Sequence, residues 1–320
     1  MGKNKNHKKI KVFEAFAGYG GASFALKKAG LAHEVVGSSE NDKYASLLFE
    51  ANHPGIANFG DITKIDPEKL RDFDLFTGGF PCQPFSSAGL GKGEFDIRGT
   101  LFYDIIRICE AKRPKHILLE NVKGLITQRH SETFTKVLQE LKRIGYDVQW
   151  RLLNSKDYGI PQNRERVWIY GRLGKLPANF ELAPEKITNK KRFKHFLDKK
   201  PDVNLYKSEV QVQRLIEILK VDFNVDEPLC LDVYNKKIKH DGISITLTEP
   251  HHNSIRVVEK PVNGEFKVRK LSMMEHYRLM GFQDGEINFA DQSYQQICKR
   301  AGNGWDINIV SLILKRIFQD

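Results

Sequence analysis

The sequence predicts an α/β protein built on a parallel sheet, with a second, smaller domain in its C-terminal half. Short apolar runs of β-forming residues alternate with helical patterns, which is typical of βαβ units. A glycine-rich turn joins the first predicted strand to the first predicted helix. After about Gly174 the alternation is lost, and residues 185–200 are crowded with lysine and arginine. These three observations predict the fold class.

Each predicted element has its own local signal. Residues 11–16 form the first strand, 17–21 the tight turn, and 22–29 a helix that ends at Gly30, because glycine readily takes the conformation that closes a helix. Further strands are predicted at 34–37, 57–62, 74–77, 115–119 and 148–153, and further helices at 101–111, 132–144, 272–280 and 307–318.

Composition limits the class of protein. The 320 residues are 40% hydrophobic and 28% charged, and no apolar stretch approaches the roughly 20 residues that cross a bilayer. The lysine-rich start is not followed by the apolar run of a secretory signal, so we expect a cytoplasmic protein without a membrane partner. The four cysteines form no CxxC pair, which argues against disulfides and a metal site. A net charge of +11 suits a polyanion such as nucleic acid, although charge also serves solubility.

One cysteine has an unusual setting. Cys82 lies in the segment GGFPCQPFSSA (78–88), directly after the apolar run at 73–77. Glycines let a backbone approach a ligand closely, and Pro81 and Pro84 bracket the cysteine with fixed φ angles. Open α/β sheets place their sites at the carboxyl ends of strands. The segment therefore predicts a thiol that is presented to a ligand.

The glycine turn is the second motif. Gly18, Gly20 and Gly21 at a strand-to-helix turn would let a cofactor lie against the backbone, although a plain structural turn is the open alternative. Glu40 stands where doubly wound folds hold ribose hydroxyls, and Asp61 is placed to accept from an adenine amino group. The third glycine of GxGxxG is absent, which favours a nucleoside-type ligand over a dinucleotide.

Two later segments carry charged residues in structured positions. Glu120 lies in the segment 118–122, which delivers it at the end of an apolar strand. There it is either part of a structural ion pair or a group tuned to donate a proton or a hydrogen bond. Arg164 and Arg166 are two residues apart, a spacing that directs both side chains to one face of a strand. Such a face binds an anion or a carbonyl oxygen, or is simply solvated.

Together and in this order, the segments resemble the C5-cytosine-specific DNA methyltransferase family in its bacterial and phage modification form. The resemblance rests on FAGYGG (16–21), GFPCQ (79–83), ENV (120–122), QNRER (162–166), RKL (269–271) with MGF (280–282), and GN (302–303). It covers nearly the whole chain except about 176–266, where this family places its target-recognition segment. The resemblance implies a Rossmann-like S-adenosylmethionine-dependent methyltransferase domain over 1–175, continued by 267–320, with a target-recognition domain over 176–266.

The resemblance also implies the catalytic residues. Cys82 would add to C6 of a flipped-out cytosine, so that C5 can attack the methyl group of S-adenosylmethionine. Glu120 would hydrogen-bond or protonate N3, and Arg166 would hold the O2 oxygen. Arg164 would act on the base, the adduct or the surroundings of the thiolate.

The cofactor site follows from the same match. The residues expected to surround S-adenosylmethionine are Phe16, Ala17, Gly18, Gly20, Gly21, Glu40, Asn41, Asp61, Ile62, Pro81, Leu101 and Asn303. Asn41 replaces the aromatic residue that many members use to stack on adenine. Trp305 replaces the family's valine and either fills space near the cofactor or belongs to the core.

DNA contacts are expected from both parts of the chain. The predicted DNA-binding residues are Gln83, Ser86, Lys236, Lys237, Thr246, His252 and Arg256. Most basic side chains would contact phosphates, and some side chains between about 234 and 256 would read base edges. Thr246 alternatively orients its loop against the active site, and no metal is required.

The expected protein is a monomeric modification enzyme that acts on a short site in double-stranded DNA. Its partner would be a restriction endonuclease that acts on the same site without forming a stable complex. Two alternatives share the motifs: a tRNA cytosine-5 methyltransferase, and a catalytically silent nucleic-acid-binding protein. Substrate competition and cofactor-dependent methyl transfer would separate the three.

Overall fold

Alternating strands and helices build the first half of the chain in a computed structural model that describes residues 8–81, 101–188, 191–249 and 255–319. The strands are β1 (Ile10–Ala15), β2 (His33–Ser39), β3 (Leu75–Gly79), β4 (His116–Val122), β5 (Tyr146–Asn154), β6 (Gln162–Asn163), β7 (Glu165–Leu173), β8 (Leu229–Asp232), β9 (Lys237–Ile238), β10 (Ser244–Ile245), β11 (Ile255–Val258) and β12 (Val268–Arg269). The helices are α1 (Gly21–Ala29), α2 (Lys43–Asn52), α3 (Leu101–Lys112), α4 (Ser131–Arg143), α5 (Glu209–Leu219), α6 (Met273–Arg278), α7 (Tyr294–Asn303) and α8 (Ile307–Gln319).

The chain divides into two compact units. The first comprises Met1–Leu153, Glu165–Pro184 and Val310–Asp320, and the second comprises Asn154–Arg164 and Glu185–Ile309. Residues 267–309 thus fall in the second unit, whereas the sequence prediction groups them by function with the catalytic domain. This division reflects contacts between residues and not function, so the predicted boundaries of the catalytic and target-recognition domains stay a prediction.

A six-stranded sheet organises the first unit in the order β2-β1-β3-β4-β7-β5. β1 pairs in parallel with β2 and β3, and β3 pairs in parallel with β4. The carboxyl ends of these four strands therefore share one edge, where Ala15 lies opposite Ser39 and Gly78, and Gly79 lies opposite Glu120. β7 runs antiparallel to β4, so its amino end reaches the same edge.

Apolar side chains from strands and helices hold this sheet in place. Phe13 of β1, Phe76 of β3 and Ile117 of β4 are almost completely buried in one core cluster. α3 adds Ile105 and Ile108, which are fully buried, because apolar residues spaced three or four apart share one helix face. The sheet edge is thus carried by a packed core, as the sequence predicts for an α/β fold.

The strand predicted at 57–62 is wrong. Within it only Asn58 forms a bridge, an isolated one with Ser38, and Ile62–Lys64 is a 3₁₀ turn. Gly60 adopts a φ of 70° and Asp61 caps the 3₁₀ turn, and both features end extended structure. The other predicted strands and helices of the first unit correspond to elements of the structure, while α2 was not predicted.

The second unit contains a separate antiparallel sheet. Its order is β12-β11-β8-β9, and it packs with α5 around a small apolar cluster that includes Val212, Leu231 and Val258. α5 begins with a capping box between Ser208 and Gln211. In the described ranges no helix is long and apolar enough to span a membrane.

Candidate active site at the carboxyl edge of the first sheet

An ion pair joins two adjacent strands at the functional edge. Nε of Arg166 lies 2.8 Å from Oε1 of Glu120, and these side chains are only 17% and 12% exposed. Arg166 starts β7 opposite Val122, near the end of β4. Partial burial strengthens the attraction and holds both groups in one geometry. Of the two readings that the sequence left open, the structure shows the ion pair, and the role of Glu120 as a donor of a proton or hydrogen bond stays a prediction.

The end of β4 also anchors the segment that leads to Cys82. Asn121 is buried, and its Nδ2 donates to the carbonyl oxygen of Phe80 at 3.0 Å. Pro81 follows as an exposed residue and is the last one described before Cys82. Cys82, Gln83 and Ser86 lie outside the described residues. The chain therefore enters the cysteine segment beside Glu120.

The other three cysteines are poor candidates for a nucleophile. Cys109, Cys230 and Cys298 are all buried. Burial raises the pKa of Cys109 above its usual range and raises the pKa of both Cys230 and Cys298 to about 12. Because the thiolate is the reactive form, none of these described cysteines suits attack on a substrate.

The glycine turn provides open space directly after β1. Gly18 has a φ of 57°, and a Cβ placed there would meet no atom of the described residues within 4 Å. Phe16 has a φ of 52°, which is unusual for a residue with a side chain and marks backbone strain at the turn. The turn is closed by the N–H of Gly20, which donates to Ala17 at 2.8 Å, and α1 then begins at Gly21.

Glu40 ties this turn to the end of β2. Its Oε2 accepts from the N–H of Gly18 at 2.9 Å, and its Oε1 accepts from the N–H of Asp42 at 2.9 Å. Asn58 fixes the backbone of Glu40, because its side-chain amide accepts from the Glu40 N–H and donates to the Glu40 carbonyl, each at 3.0 Å. Two motifs that are 22 residues apart in the chain are thus joined directly.

Polar and apolar groups complete this part of the site. Asp61 accepts from the N–H and the hydroxyl of Thr63, and these hydrogen bonds lower the pKa of the Asp61 carboxyl. Ile62 belongs to the core cluster, against which Phe16 and Leu101 pack while partly exposed. Asn41 is exposed beside Glu40. An open turn, oriented carboxylates and an apolar surface fit a ligand with a polar sugar and a flat base.

Arg164 does not share a strand face with Arg166. It lies between β6 and β7 and is only 3% exposed. Its guanidinium donates to the carbonyl oxygens of Leu247 at 3.2 Å, Gly302 at 3.1 Å and Gly304 at 2.7 Å. Arg164 lies in neither strand, so the expectation that one continuous strand carries both arginines is wrong. Its action on the base stays a prediction.

The remaining predicted site residues lie in the second unit, except His252, which is outside the described residues. Asn303 is exposed and donates to Oε1 of Glu249 at 3.0 Å, and Thr246 donates to the carbonyl of Asn163 at 2.6 Å. Trp305 is buried in the core, 9% exposed. The Thr246 contact supports the alternative in which this residue orients its loop.

The predicted DNA-binding cations differ in exposure. Lys236 and Lys237 are exposed at the turn between β8 and β9. Arg256 on β11 is partly buried, and burial lowers its pKa. The two lysines are therefore better placed than Arg256 to reach a phosphate.

Sequence reasoning missed two polar residues beside the glycine turn, the buried Glu14 and the half-buried His53. Oxygens of Glu14, on β1, accept from the N–H groups of Ala22 at 3.2 Å and Ser23 at 3.0 Å. His53 follows α2 and contacts Tyr19. A charged residue inside an apolar strand was the available signal for Glu14, whereas the sequence held no signal for His53.

Comparisons with known proteins agree with the geometry of the site. The family model described as C-5 cytosine-specific DNA methylase matches residues 10–319. The Type II methyltransferase M.NgoBI of Neisseria gonorrhoeae is 38% identical over 312 residues, which cover 95% of this chain and 92% of that protein. The Type II methyltransferase M.HaeII of Haemophilus aegyptius is 38% identical over 312 residues, with coverages of 96% and 92%.

A solved structure supports the fold. The crystal structure of a DNMT2 mutant from Spodoptera frugiperda covers 97% of this chain and 100% of its own, with a TM-score of 0.78 and 20% identity. At this identity the likeness concerns the fold alone. The family model, in contrast, extends over almost every residue from β1 to the end of α8. The chain belongs to the C-5 cytosine-specific DNA methylase family.

Proposed function

We propose that this protein transfers a methyl group from S-adenosylmethionine to C5 of one cytosine within a short site in double-stranded DNA. The observation that carries the proposal is the Glu120–Arg166 pair at the edge where β3 leads into Cys82. A carboxylate, a guanidinium and the entry to a cysteine segment meet there. The membership in the family supplies the reaction class.

The chain's own residues account for the activation of cytosine. The Cys82 thiolate forms a bond to C6, and the electron pair of the C5–C6 double bond moves into the ring, where Glu120 donates a hydrogen bond or a proton at N3. Arg166 stabilises negative charge at O2. C5 would then attack the methyl group of the donor, whose sulfur–methyl bond breaks to leave a neutral thioether. A base would take the C5 proton, and the electron pair of that C–H bond would re-form the C5–C6 double bond and expel Cys82 as a thiolate. The sequence does not identify that base.

Residues around the glycine turn would hold the methyl donor. The donor supplies an electrophilic methyl group on a sulfonium. Glu40 and Asp61 offer carboxylate oxygens to its sugar and base, and Phe16 offers an apolar ring. Asn41 cannot stack as an aromatic residue would, so stacking is left to Phe16 within this set. The carboxylates and the apolar ring among the described residues therefore fit a nucleoside with a charged tail.

DNA binding is assigned to residues 176–266 together with the segment after Cys82. The exposed Lys236 and Lys237 would contact phosphates, and the target cytosine would leave the duplex stack to reach Cys82. We further propose that the protein works as a cytoplasmic monomer and protects DNA from an endonuclease with the same site. The relatives named as Type II methyltransferases support this role.

The test is transfer of a labelled methyl group from S-adenosylmethionine to unmethylated genomic DNA, with conversion sequencing of the product. We expect methylation at C5 within one recurring short context and its complete loss in Cys82→Ser. Duplex DNA and transfer RNA should be offered in competition, because incorporation into RNA alone would contradict the proposed substrate. Retained methylation in the variant would remove Cys82 from the mechanism.

Two controls separate chemistry from folding. Cys82→Ser must bind S-adenosylhomocysteine and unfold at the same temperature as the wild-type protein. The buried Cys109, Cys230 and Cys298 serve as internal controls for thiol labelling, since burial keeps them unreactive in the native state.

A further inference from the structure

His53 contacts the glycine turn from the side of α2. Its Nε2 lies 3.2 Å from the carbonyl oxygen of Tyr19, between Gly18 and Gly20. A carbonyl oxygen only accepts, so Nε2 carries the proton and donates it. Burial lowers the pKa of the His53 ring to about 4, which keeps the ring neutral near pH 7.

The ring is held in one orientation by two aromatic neighbours. Its centroid lies 4.9 Å from that of Phe24 in α1 and 4.7 Å from that of Phe49 in α2. The backbone N–H of His53 donates to the carbonyl oxygen of Phe49 at 2.8 Å and fixes the backbone as well. A side chain restrained from both helices places its donor at a defined point, because it has little rotational freedom to lose.

The imidazole ring of His53 packs directly against the backbone of Gly20. A Cβ built on Gly20 would collide with the imidazole of His53, and Gly20 has a φ of 87° that favours glycine independently. The ring therefore occupies the place of a side chain at Gly20. The same short turn contains Gly18, whose N–H donates to Glu40.

We propose that His53 is a positioning residue for the methyl-donor site, acting through the turn at 17–21. Its ring and its N–H fix the Tyr19 carbonyl and the Gly20 backbone, so that the Gly18 N–H stays directed at Glu40. The identity of the ligand rests on the proposed function above. The described contacts of His53 are with the turn, α1 and α2, so its effect is on affinity for the methyl donor.

The experiment compares two replacements by isothermal titration with S-adenosylhomocysteine. His53→Phe keeps a ring of similar size and removes the donor, whereas His53→Gln keeps an N–H donor and removes the ring. The matched control is His33→Phe, because Nδ1 of His33 also contacts a backbone carbonyl, that of Leu31 at 2.9 Å, at the opposite end of β2.

We expect His53→Phe to weaken binding about tenfold, the effect of one lost hydrogen bond, and His53→Gln to restore it to within about threefold. The KM for S-adenosylmethionine should rise with the binding constant, while kcat at saturating donor and the KM for DNA stay unchanged. A residue that serves folding alone would lower the fraction of active protein and would not raise the KM for S-adenosylmethionine.

Three results would overturn the inference. Wild-type affinity in both His53 variants would show that the turn holds its shape without the ring. Equal weakening by His53→Phe and His33→Phe would indicate general destabilisation. If His53→Phe does not fold, His53→Leu, which also lacks the donor, takes its place, and wild-type affinity in folded His53→Leu together with an unchanged KM for the methyl donor would reject the inference. Failure of the wild-type protein to bind the ligand would instead contradict the proposed function.

Discussion

Glu120 has a more constrained environment than its position in the sequence suggests. It lies on β4, between the parallel β3 and the antiparallel β7, is mostly buried, and its carboxylate is oriented by Arg166 at 2.8 Å. Replacing one member of such a pair leaves the other charge partly desolvated and without its counter-ion. In the proposed mechanism, the chemistry at N3 and the geometry at O2 of the base would therefore be coupled through one salt bridge.

Glu120→Gln should reduce kcat at least about 100-fold, because an amide is not a general acid and leaves Arg166 without its counter-ion. The measurement is single-turnover methyl transfer with saturating DNA and methyl donor. Glu165→Gln is a matched control one strand away, since Glu165 forms a more exposed pair with Lys123 at 2.9 Å. A similar loss in both variants would mean that the strand, and not the carboxylate, is affected.

Short motifs predicted Glu120 and Arg166, and the structure places them near the end of β4 and the start of β7. Their roles stay predictions, as do the position and role of Cys82. Arg164 was expected to share a strand with Arg166, but it lies between β6 and β7 and contacts Leu247, Gly302 and Gly304, which come from distant parts of the chain. Long-range contacts of this kind have no local signal.

The first helix begins without a side-chain cap of its own. Gly20 at its N-cap has no side chain, and Glu14 from β1 accepts the N–H groups of Ala22 and Ser23 instead. The Ser23 hydroxyl also donates to Glu14. A strand residue thus completes the start of the helix that follows the glycine turn.

The capping carboxylate makes stability depend on pH. Burial raises the pKa of Glu14 from 4.5 to about 7, so the folded state binds the proton more tightly than the unfolded state. Stability is therefore fully present below pH 4.5 and is lost as pH rises through 7, by a contribution of about 3 kcal/mol. Glu14→Gln should flatten this dependence, as measured by denaturant unfolding between pH 5 and 8.

An exposed carboxylate provides the comparison for Glu14. Glu68→Gln removes an exposed carboxylate in the same unit and should keep the wild-type slope of stability against pH. An unchanged slope in Glu14→Gln would assign the dependence to another group.

Elements with a periodic apolar pattern were predicted and confirmed, whereas irregular elements were not. α3 follows from apolar residues that line one face, and β4 follows from a continuous apolar run. The segment at 57–62 has β-forming residues too, but hydrogen bonds from Asn58 and the cap at Asp61 shape it as a loop. Side-chain to backbone hydrogen bonds outweighed propensity there.

At the scale of the whole chain, charge and architecture serve different purposes. The net charge of +11 favours association with DNA of any sequence, whereas the proposed chemistry is assigned to the sheet edge. The α/β class and the presence of a second unit could be predicted from the alternation of patterns and its loss after about Gly174. The antiparallel sheet of the second unit could not, because its strands are only two to four residues long.

The lysines between β8 and β9 give a prediction at this scale. Replacing both Lys236 and Lys237 by Gln should weaken DNA binding at low salt and reduce the slope of log K against log salt by about 1.8, since each phosphate contact contributes about 0.9. Fluorescence anisotropy with a labelled duplex over a range of salt measures this slope.

A pair of lysines from the first unit tests whether position matters. Lys27→Gln with Lys142→Gln removes the same charge from two exposed sites and should leave the slope unchanged. An equal reduction in both double variants would indicate that only the total charge of the protein matters.

The reversal of β7 has a consequence for how the functional edge acquires its polar groups. Four parallel strands bring residues to that edge where the chain leaves the sheet, and Glu120 is an example. β7 enters the sheet there, so Arg166 arrives at the start of its strand. A search restricted to the carboxyl ends of strands would find Glu120 and overlook Arg166. One antiparallel strand therefore enlarges the set of chain positions from which a parallel sheet can supply a charge to its ligand.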